Sequence, residues 1–201
     1  VGGLDVARSG DAVSVFALIR RDSSRTGFIA GMWQEDDRDP RRQYGLFVDL
    51  PVYGGAEQVI GHVSSDGLPS EGLPYSRDYS ASARMVPLDS WRVIGFTYDG
   101  ESVTSYLDGV SDFRPVFRER GRPLGQELQY QKNPFHYPHG LNRGTASDFT
   151  VGAVQLTEGL GNVYGGSIAR IAVWDRALSA RDVVQLARAW TPEGHPLLQF
   201  D

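Results

Sequence analysis

Short runs of apolar and β-branched residues, separated by glycine, aspartate and proline, recur along most of this 201-residue chain. The run at 43–50 alternates polar and apolar side chains, as a strand with one buried face does. The run at 13–21 is apolar on both faces, which is typical of a central strand. Many short strands with turn residues between them predict an all-β, antiparallel β-sandwich. Predicted strands lie at 13–21, 26–33, 43–50, 57–64, 91–98, 102–107, 149–154 and 167–174.

One hairpin has an explicit turn signal. Asp99-Gly100 stands between the runs at 91–98 and 102–107. Asp-Gly between two strand-like runs favours a tight turn with left-handed backbone angles. We therefore expect these two runs to pair directly.

The pattern changes near the C-terminus, where one short helix is predicted at about 179–190, followed by a tail at 191–201. Ser179 and Asp182 have the spacing of a capping box, with Asp in place of the usual Glu or Gln. Pro192 and Gly194 are typical of a helix end. The apolar stripe between them consists of Val183, Leu186, Ala187 and Trp190.

Two long segments, 65–87 and 111–148, interrupt the rhythm of the strands. Connections longer than about 12–15 residues are uncommon unless they are functional or disordered. Both segments contain several aromatic residues, so we expect ordered loops with short strands inside them, the best candidate being 81–86.

Composition excludes several kinds of chemistry. The chain has no Cys, so it has no disulfide and no thiolate nucleophile or ligand. Lys132 is the only lysine, which argues against lysine-based covalent catalysis. A net charge of −5 argues against a nucleic-acid partner, and no apolar run approaches the length that membrane insertion needs. The chain begins at Val1, so we expect a processed chain or part of a longer protein.

Three segments carry a resemblance to a known family. The string W-x-x-x-x-F-T-Y-D-G-x-x-x-x-x-Y-L-D-G at 91–109 resembles the central hairpin of laminin-G-like domains in the concanavalin A-like lectin/glucanase superfamily. The segments 149–152 and 165–184 resemble the last strands and following helix of that family. The resemblance implies a single jelly-roll domain over 1–201 whose concave face and rim loops bind glycans. It also implies that Trp91 and Trp174 pack structurally.

Because the superfamily also contains enzymes, the resemblance implies two sets of candidate catalytic residues. The Glu-x-Asp-x-x-Glu strand of its glucanases is absent, and Glu35 and Asp37 are the nearest pair of carboxylates. Its lyases use Tyr and His to abstract a proton, for which His62, Tyr75 and Tyr79 are the candidates. Neither set forms a recognisable motif, so the sequence favours a binding protein over a lyase or hydrolase without excluding the enzyme.

Glycan binding requires aromatic platforms beside planar polar groups. Arginines could also receive an acidic sugar, because a guanidinium matches a carboxylate in a bidentate manner. A further arginine cluster comprises Arg114, Arg118, Arg120 and Arg122, which we interpret as a solvated loop. The candidate ligand-binding residues are Trp33, Arg42, His62, Tyr75, Arg77, Tyr79, His136, His139, Asn142 and Arg143.

No cofactor is required by these features, although many relatives carry a structural calcium ion. Ala169 stands where many of them have an aspartate, so that site is not expected here. A different calcium site could involve Asp5, Asp11 or Asp175. His136 and His139 lack a third ligand in register and predict no zinc site.

Taken together, these residues predict carbohydrate recognition by a lectin-like sandwich, with a polysaccharide-degrading enzyme or an adhesive module of a larger protein as the alternatives. The expected partners are a carbohydrate and other domains of a longer chain. An acidic group on the sugar would suit the arginines. The expected location is extracellular or at the cell surface, with a cytoplasmic location left open.

Overall fold

The computed structural model describes residues 4–36, 38–114, 117–118, 129–144, 147–190 and 196–200. A short 3-10 helix, Val6–Arg8, precedes the first strand. The strands and the helix are β1 (Val13–Arg21), β2 (Gly27–Glu35), β3 (Arg41–Leu50), β4 (Gly55–Val63), β5 (Tyr79–Met85), β6 (Trp91–Tyr98), β7 (Ser102–Leu107), β8 (Phe117–Arg118), β9 (Gln129–Tyr130), β10 (Phe135–His136), β11 (Phe149–Val151), β12 (Val154–Leu156), β13 (Leu160–Gly161), β14 (Gly166–Trp174), α1 (Ala180–Ala189) and β15 (Leu198–Phe200).

Two sheets form the predicted sandwich. The six-stranded sheet has the order β10-β7-β6-β1-β14-β15. The seven-stranded sheet has the order β13-β12-β2-β3-β4-β5, and β11 also pairs with β2. All pairs of strands between named elements are antiparallel except β12 with β2. The all-β sandwich with one C-terminal helix is therefore confirmed.

The main core lies between the two sheets, because alternate side chains of each strand point to the same side. Val15 and Ile94 of the six-stranded sheet and Leu46 and Val59 of the seven-stranded sheet belong to this core, and each is fully buried. Phe96 fills the space that Gly61 leaves open, since a Cβ at Gly61 would lie 2.4 Å from its Cβ. The inner faces are thus used for packing.

The predicted hairpin is present, with Tyr98 of β6 opposite Val103 of β7. Its turn is fixed by Asp99, whose Oδ1 accepts the backbone N–H groups of Glu101 and Ser102. The predicted strand at 149–154 is divided at Gly152, which has a φ of +78°. The second half, β12, runs parallel to β2, a pairing that strand propensity alone does not reveal.

The outer face of the six-stranded sheet is covered by α1. Phe16, Trp174 and Tyr106 of the sheet pack with Leu186 and Trp190 of the helical segment. Trp174 and Trp190 are therefore structural, as the sequence predicted. The helix therefore covers this part of the outer face.

Trp91 corrects one expectation. The resemblance placed it in a packed position, but 47% of the residue is exposed. It begins β6 opposite Arg20, whose guanidinium carbon lies 6.0 Å from the centre of its ring. At this end of the strand the indole lies against an arginine rather than inside the core.

The helix cap gives a first prediction. The Ser179 side chain accepts the N–H of Asp182, and the Asp182 carboxylate accepts the N–H of Ser179, which is the predicted capping box. Replacing Ser179 by Ala removes one half of it, and we expect the free energy of unfolding in urea to fall by about 1 kcal/mol. The variant Ser179→Thr should retain most of the stability. Equal losses in both variants would contradict a capping effect.

Candidate functional site

The outer face of the seven-stranded sheet carries a layer of aromatic rings instead of a helix. β2, β3, β4 and β5 contribute Trp33, Phe47, His62 and Tyr79 respectively. The His62 ring centre lies 4.3 Å from that of Trp33, 6.0 Å from Phe47 and 5.2 Å from Tyr79. Each of these residues is at most 3% exposed. The sheet therefore presents a rigid, packed floor.

Gly45 makes this close packing possible. It lies on β3 opposite His62. A Cβ there would lie 2.8 Å from the Phe47 ring and 3.0 Å from the Phe28 ring. Any larger residue would push the rings apart, so we regard Gly45 as part of the architecture of the site.

A cleft of about 270 Å³ opens above this floor. Its walls come from the β3–β4 turn, the β4–β5 loop and the segment after β13. We refer to it below as the cleft. It is lined by Thr26, Trp33, Glu35, Arg42, Phe47, Leu50, Val52, His62, Tyr75, Ser76 and Asn162.

Planar polar groups converge at one end of the cleft. Glu35 accepts a hydrogen bond from Trp33 Nε1 at 3.1 Å and another from Asn162 Nδ2 at 3.4 Å. Arg42 Nε lies 4.0 Å from Glu35 Oε1, and Arg42 Nη1 donates to the carbonyl of Gly67 at 3.2 Å. The guanidinium also lies over the Trp33 ring, 5.8 Å from its centre. A carboxylate, a guanidinium and an amide thus surround one indole.

Burial affects the pKa values of His62 and Arg42 in the cleft. Burial lowers the pKa of His62 to about 3, and the positive charges of Arg42 and Lys132 act in the same direction. The imidazole is therefore neutral at physiological pH. Burial also lowers the pKa of Arg42, although the carboxylates of Glu35 and Asp66 oppose that effect.

Tyr75 is the accessible aromatic group of the cleft. It lies in the β4–β5 loop and is 61% exposed, in contrast to the buried rings beneath it. Its neighbour Ser76 is buried and also lines the cleft. A ligand in the cleft could therefore contact the face of the Tyr75 ring while its polar groups reach Glu35 and Arg42.

The structure brings together only part of the predicted binding set. Trp33, Arg42, His62 and Tyr75 line the cleft, and Tyr79 lies in its floor. Trp33 belongs to β2, in agreement with the predicted strand at 26–33, and it is buried.

His139 and Arg143 line a separate shallow groove at the end of the sandwich, about 540 Å³ in volume, together with Asp11. Arg143 Nη2 donates to Asp11 at 2.7 Å, so this guanidinium already faces a carboxylate. Asn142 fastens a loop, because its Nδ2 donates to the carbonyl of Arg42 at 3.0 Å.

The remaining nominated basic residues lie apart from both depressions. His136 pairs with Ser102 at the edge of the six-stranded sheet, and the Arg77 guanidinium lies 6.0 Å from the centre of the Tyr130 ring. In the arginine cluster, Arg114 donates to Gly54 and Gln58. The side chain of Arg118 and the residues Arg120 and Arg122 lie outside the described residues.

The catalytic candidates do not form a described acid–base pair. Asp37 lies outside the described residues, so its distance from Glu35 is not defined. The Tyr79 hydroxyl contacts the carbonyls of Leu50 (3.3 Å) and Val52, which directs it away from His62. The enzyme alternative therefore gains no specific geometric support.

Two of the three carboxylates nominated for calcium accept hydrogen bonds from the protein. Asp5 accepts hydrogen bonds from Arg8 and from Gln43, both at 2.8 Å, and Asp11 faces Arg143. Asp175 follows β14 and is exposed. Within the described part of the chain, no three His, Asp or Glu side chains are grouped as metal ligands. A calcium site near Asp5, Asp11 or Asp175 stays a prediction.

Sequence reasoning missed several residues of the cleft. Asn162 follows β13 in a glycine-rich loop and has a φ of +48°, a conformation that Asn tolerates better than most residues. A polar residue isolated among glycines was the available signal. Leu50 and Val52 were missed because an apolar residue at a strand end looks like ordinary core.

Comparison with known proteins supports the architecture. No family model matches the chain, and no curated protein matches it by sequence. It is similar to the sialidase carbohydrate-binding module of Ruminococcus gnavus bound to α2,3-sialyllactose, with a TM-score of 0.60 and 10% identity over 88% of this chain and 83% of that chain.

It is also similar to domain 4 of an extracellular arabinanase from Geobacillus stearothermophilus in complex with arabinotriose (TM-score 0.53, 15% identity, 89% of this chain and 68% of that one). A candidate carbohydrate-binding protein from Bacteroides ovatus has a TM-score of 0.55 and 13% identity over 87% of this chain, which spans 40% of that protein.

These likenesses support the two-sheet sandwich fold, and the structural neighbours include carbohydrate-binding modules. The concanavalin A-like and laminin-G-like assignments stay predictions. Among the described residues, no helix is long and apolar enough to cross a membrane.

Proposed function

We propose that this protein binds carbohydrate in the cleft on the outer face of the seven-stranded sheet. The observation that carries the proposal is the exposed Tyr75 ring beside the planar side chains of Glu35, Arg42 and Asn162, above a packed aromatic floor. Sugars present C–H groups to aromatic faces and hydroxyls to such planar groups. The solved neighbours that bind sialyllactose and arabinotriose support the same class of ligand.

The charges in the cleft favour a neutral sugar. Arg42 is the cation at the polar end, and Glu35 lies 4.0 Å from it. A sugar carboxylate would have to compete with Glu35 for the guanidinium, whereas hydroxyls can donate to Glu35 and accept from Arg42 together. An acidic sugar, which the arginines in the sequence suggested as a ligand, is therefore less favoured than a neutral sugar.

We also propose that the chain works as a binding module beside other domains and outside the cell. The solved neighbours include one domain of an extracellular arabinanase and a module of a sialidase, which supports this context.

The variant Tyr75→Ala tests the cleft. A glycan array of neutral and acidic sugars would first identify ligands, and calorimetry would then give Kd values. Because an exposed aromatic ring supplies much of the contact in such sites, we expect Kd to rise about 10- to 30-fold.

Trp91→Ala is the matched control, since Trp91 is also an exposed aromatic residue but lies on the other sheet. Its Kd should stay within twofold of the unaltered protein. Equal effects of the two substitutions, or no glycan bound by the folded protein, would contradict the proposed function.

A further inference from the structure

The two ends of the cleft differ in chemistry. Arg42 and Leu50 lie near opposite ends of β3, but the Arg42 guanidinium lies 5.8 Å from the Trp33 ring centre, which is 5.6 Å from the ring centre of Phe47, three residues before Leu50. The end at Arg42 holds the polar groups described above. The end at Leu50 is formed by Leu50 and Val52, with Phe47 between the two ends. Val52 is 41% exposed although it is apolar.

Four backbone carbonyls at the Leu50 end have hydrogen-bond partners within the protein. The carbonyls of Leu50 and Val52 both contact the Tyr79 hydroxyl. The Pro51 carbonyl accepts the N–H of Gly54 at 3.2 Å, and the Gly54 carbonyl accepts from Arg114 at 2.7 Å. These four acceptors are therefore engaged within the protein, and the turn presents apolar side chains to the cleft.

One polar side chain lies across from this turn. Thr26 immediately precedes β2, and Gly27 pairs with Val48, which places Thr26 near the same end as Leu50. It adds one hydroxyl and one methyl group. A sugar ring, which carries a hydroxyl on most of its carbons, would leave several hydroxyls without partners here, and each would lose hydration without a replacement hydrogen bond.

We infer that the cleft binds a glycoside that carries an apolar substituent, such as an aryl, alkyl or acyl group, with the sugar at the Arg42 end and the substituent against Leu50 and Val52. This inference rests on the proposed function and specifies the ligand class of the same site. The continuity of one cleft from polar to apolar walls is what connects the two parts of the ligand.

The test compares methyl and p-nitrophenyl glycosides of the same neutral sugars by calorimetry with the full chain. We expect p-nitrophenyl glycosides to bind about tenfold more tightly than their methyl counterparts. In Val52→Ser this advantage should fall to about twofold or threefold.

Val110→Ser is the matched control, because Val110 is similarly exposed (46%) but follows β7 of the other sheet. It should preserve the tenfold advantage, and free p-nitrophenol should bind far more weakly than the glycosides. Equal affinity for methyl and p-nitrophenyl glycosides would overturn the inference and leave the proposed function standing. If neither methyl nor p-nitrophenyl glycosides bind, both the inference and the proposed function are contradicted.

Discussion

Replacing Asp49 by Asn should lower the free energy of unfolding by about 3 kcal/mol. Asp49 Oδ2 accepts a hydrogen bond from Arg21 Nη2 at 3.2 Å, and its Oδ1 accepts the N–H of Glu57 at 2.8 Å. The Arg21 and Asp49 side chains are 1% and 9% exposed. Removing the negative charge leaves a buried guanidinium without its counter-charge. Asn keeps the shape of the side chain and tolerates the left-handed backbone at this position, φ +59°.

Asp108→Asn provides a matched control. Asp108 has a φ of +50°, accepts the N–H of Val93 through Oδ1 and pairs with Arg92 through Oδ2 at 3.2 Å. This second pair is more than a third exposed on both sides, so its loss should cost 1 kcal/mol or less. Urea unfolding of both variants measures the difference. Similar losses would show that burial of the Arg21–Asp49 pair has no special consequence.

The second large effect is expected in acid. His62 has a pKa of about 3 in the folded protein, because burial disfavours the charged imidazole, whereas its value in the unfolded chain is about 6.5. Between these values the unfolded chain binds more protons, so stability falls as the pH decreases through this range. Between pH 7 and pH 4.5, His62 alone should account for a loss of about 2–3 kcal/mol.

Urea unfolding of His62→Gln across this pH range isolates that contribution. The variant should lose about 2–3 kcal/mol less than the unaltered protein when the pH is lowered, whatever its stability at pH 7. His139→Gln, at an exposed histidine, is the matched control. An unchanged pH dependence in His62→Gln would mean that His62 is accessible to protons in the folded state.

Much of the fold could be predicted because local patterns and tertiary structure agree. The alternation at 43–50 corresponds to β3, Asp99-Gly100 forms the turn between β6 and β7, and Ser179 caps α1. The shortest strands could not be predicted in this way. β10 and β13 have two residues each, so they carry no periodicity, and they are fixed by their neighbours in the sheet.

The candidate site could be predicted only in part. Trp33 and His62 lie within predicted strands, whereas Arg42 reaches the outer face only through the register shift between Met32 and Trp33, which strict alternation does not predict. The sequence did not indicate that His139 and Arg143 lie in a different groove, since this depends on the path of a long loop. It also could not distinguish the exposed Tyr75 from the buried Tyr79, four residues away.

The central claim is that carbohydrate binds above Trp33, and the four tryptophans of the chain allow a direct test. Trp33 lies in the cleft, Trp91 is exposed on the other sheet, and Trp174 and Trp190 pack beneath or beside α1. Their indole N–H signals can be followed by nuclear magnetic resonance during titration with the best array ligand. The Trp33 signal should move in proportion to occupancy, because its N–H is hydrogen-bonded to Glu35, while the other three stay in place. A bound glycan that leaves Trp33 unmoved, or that moves Trp91 instead, would contradict the account.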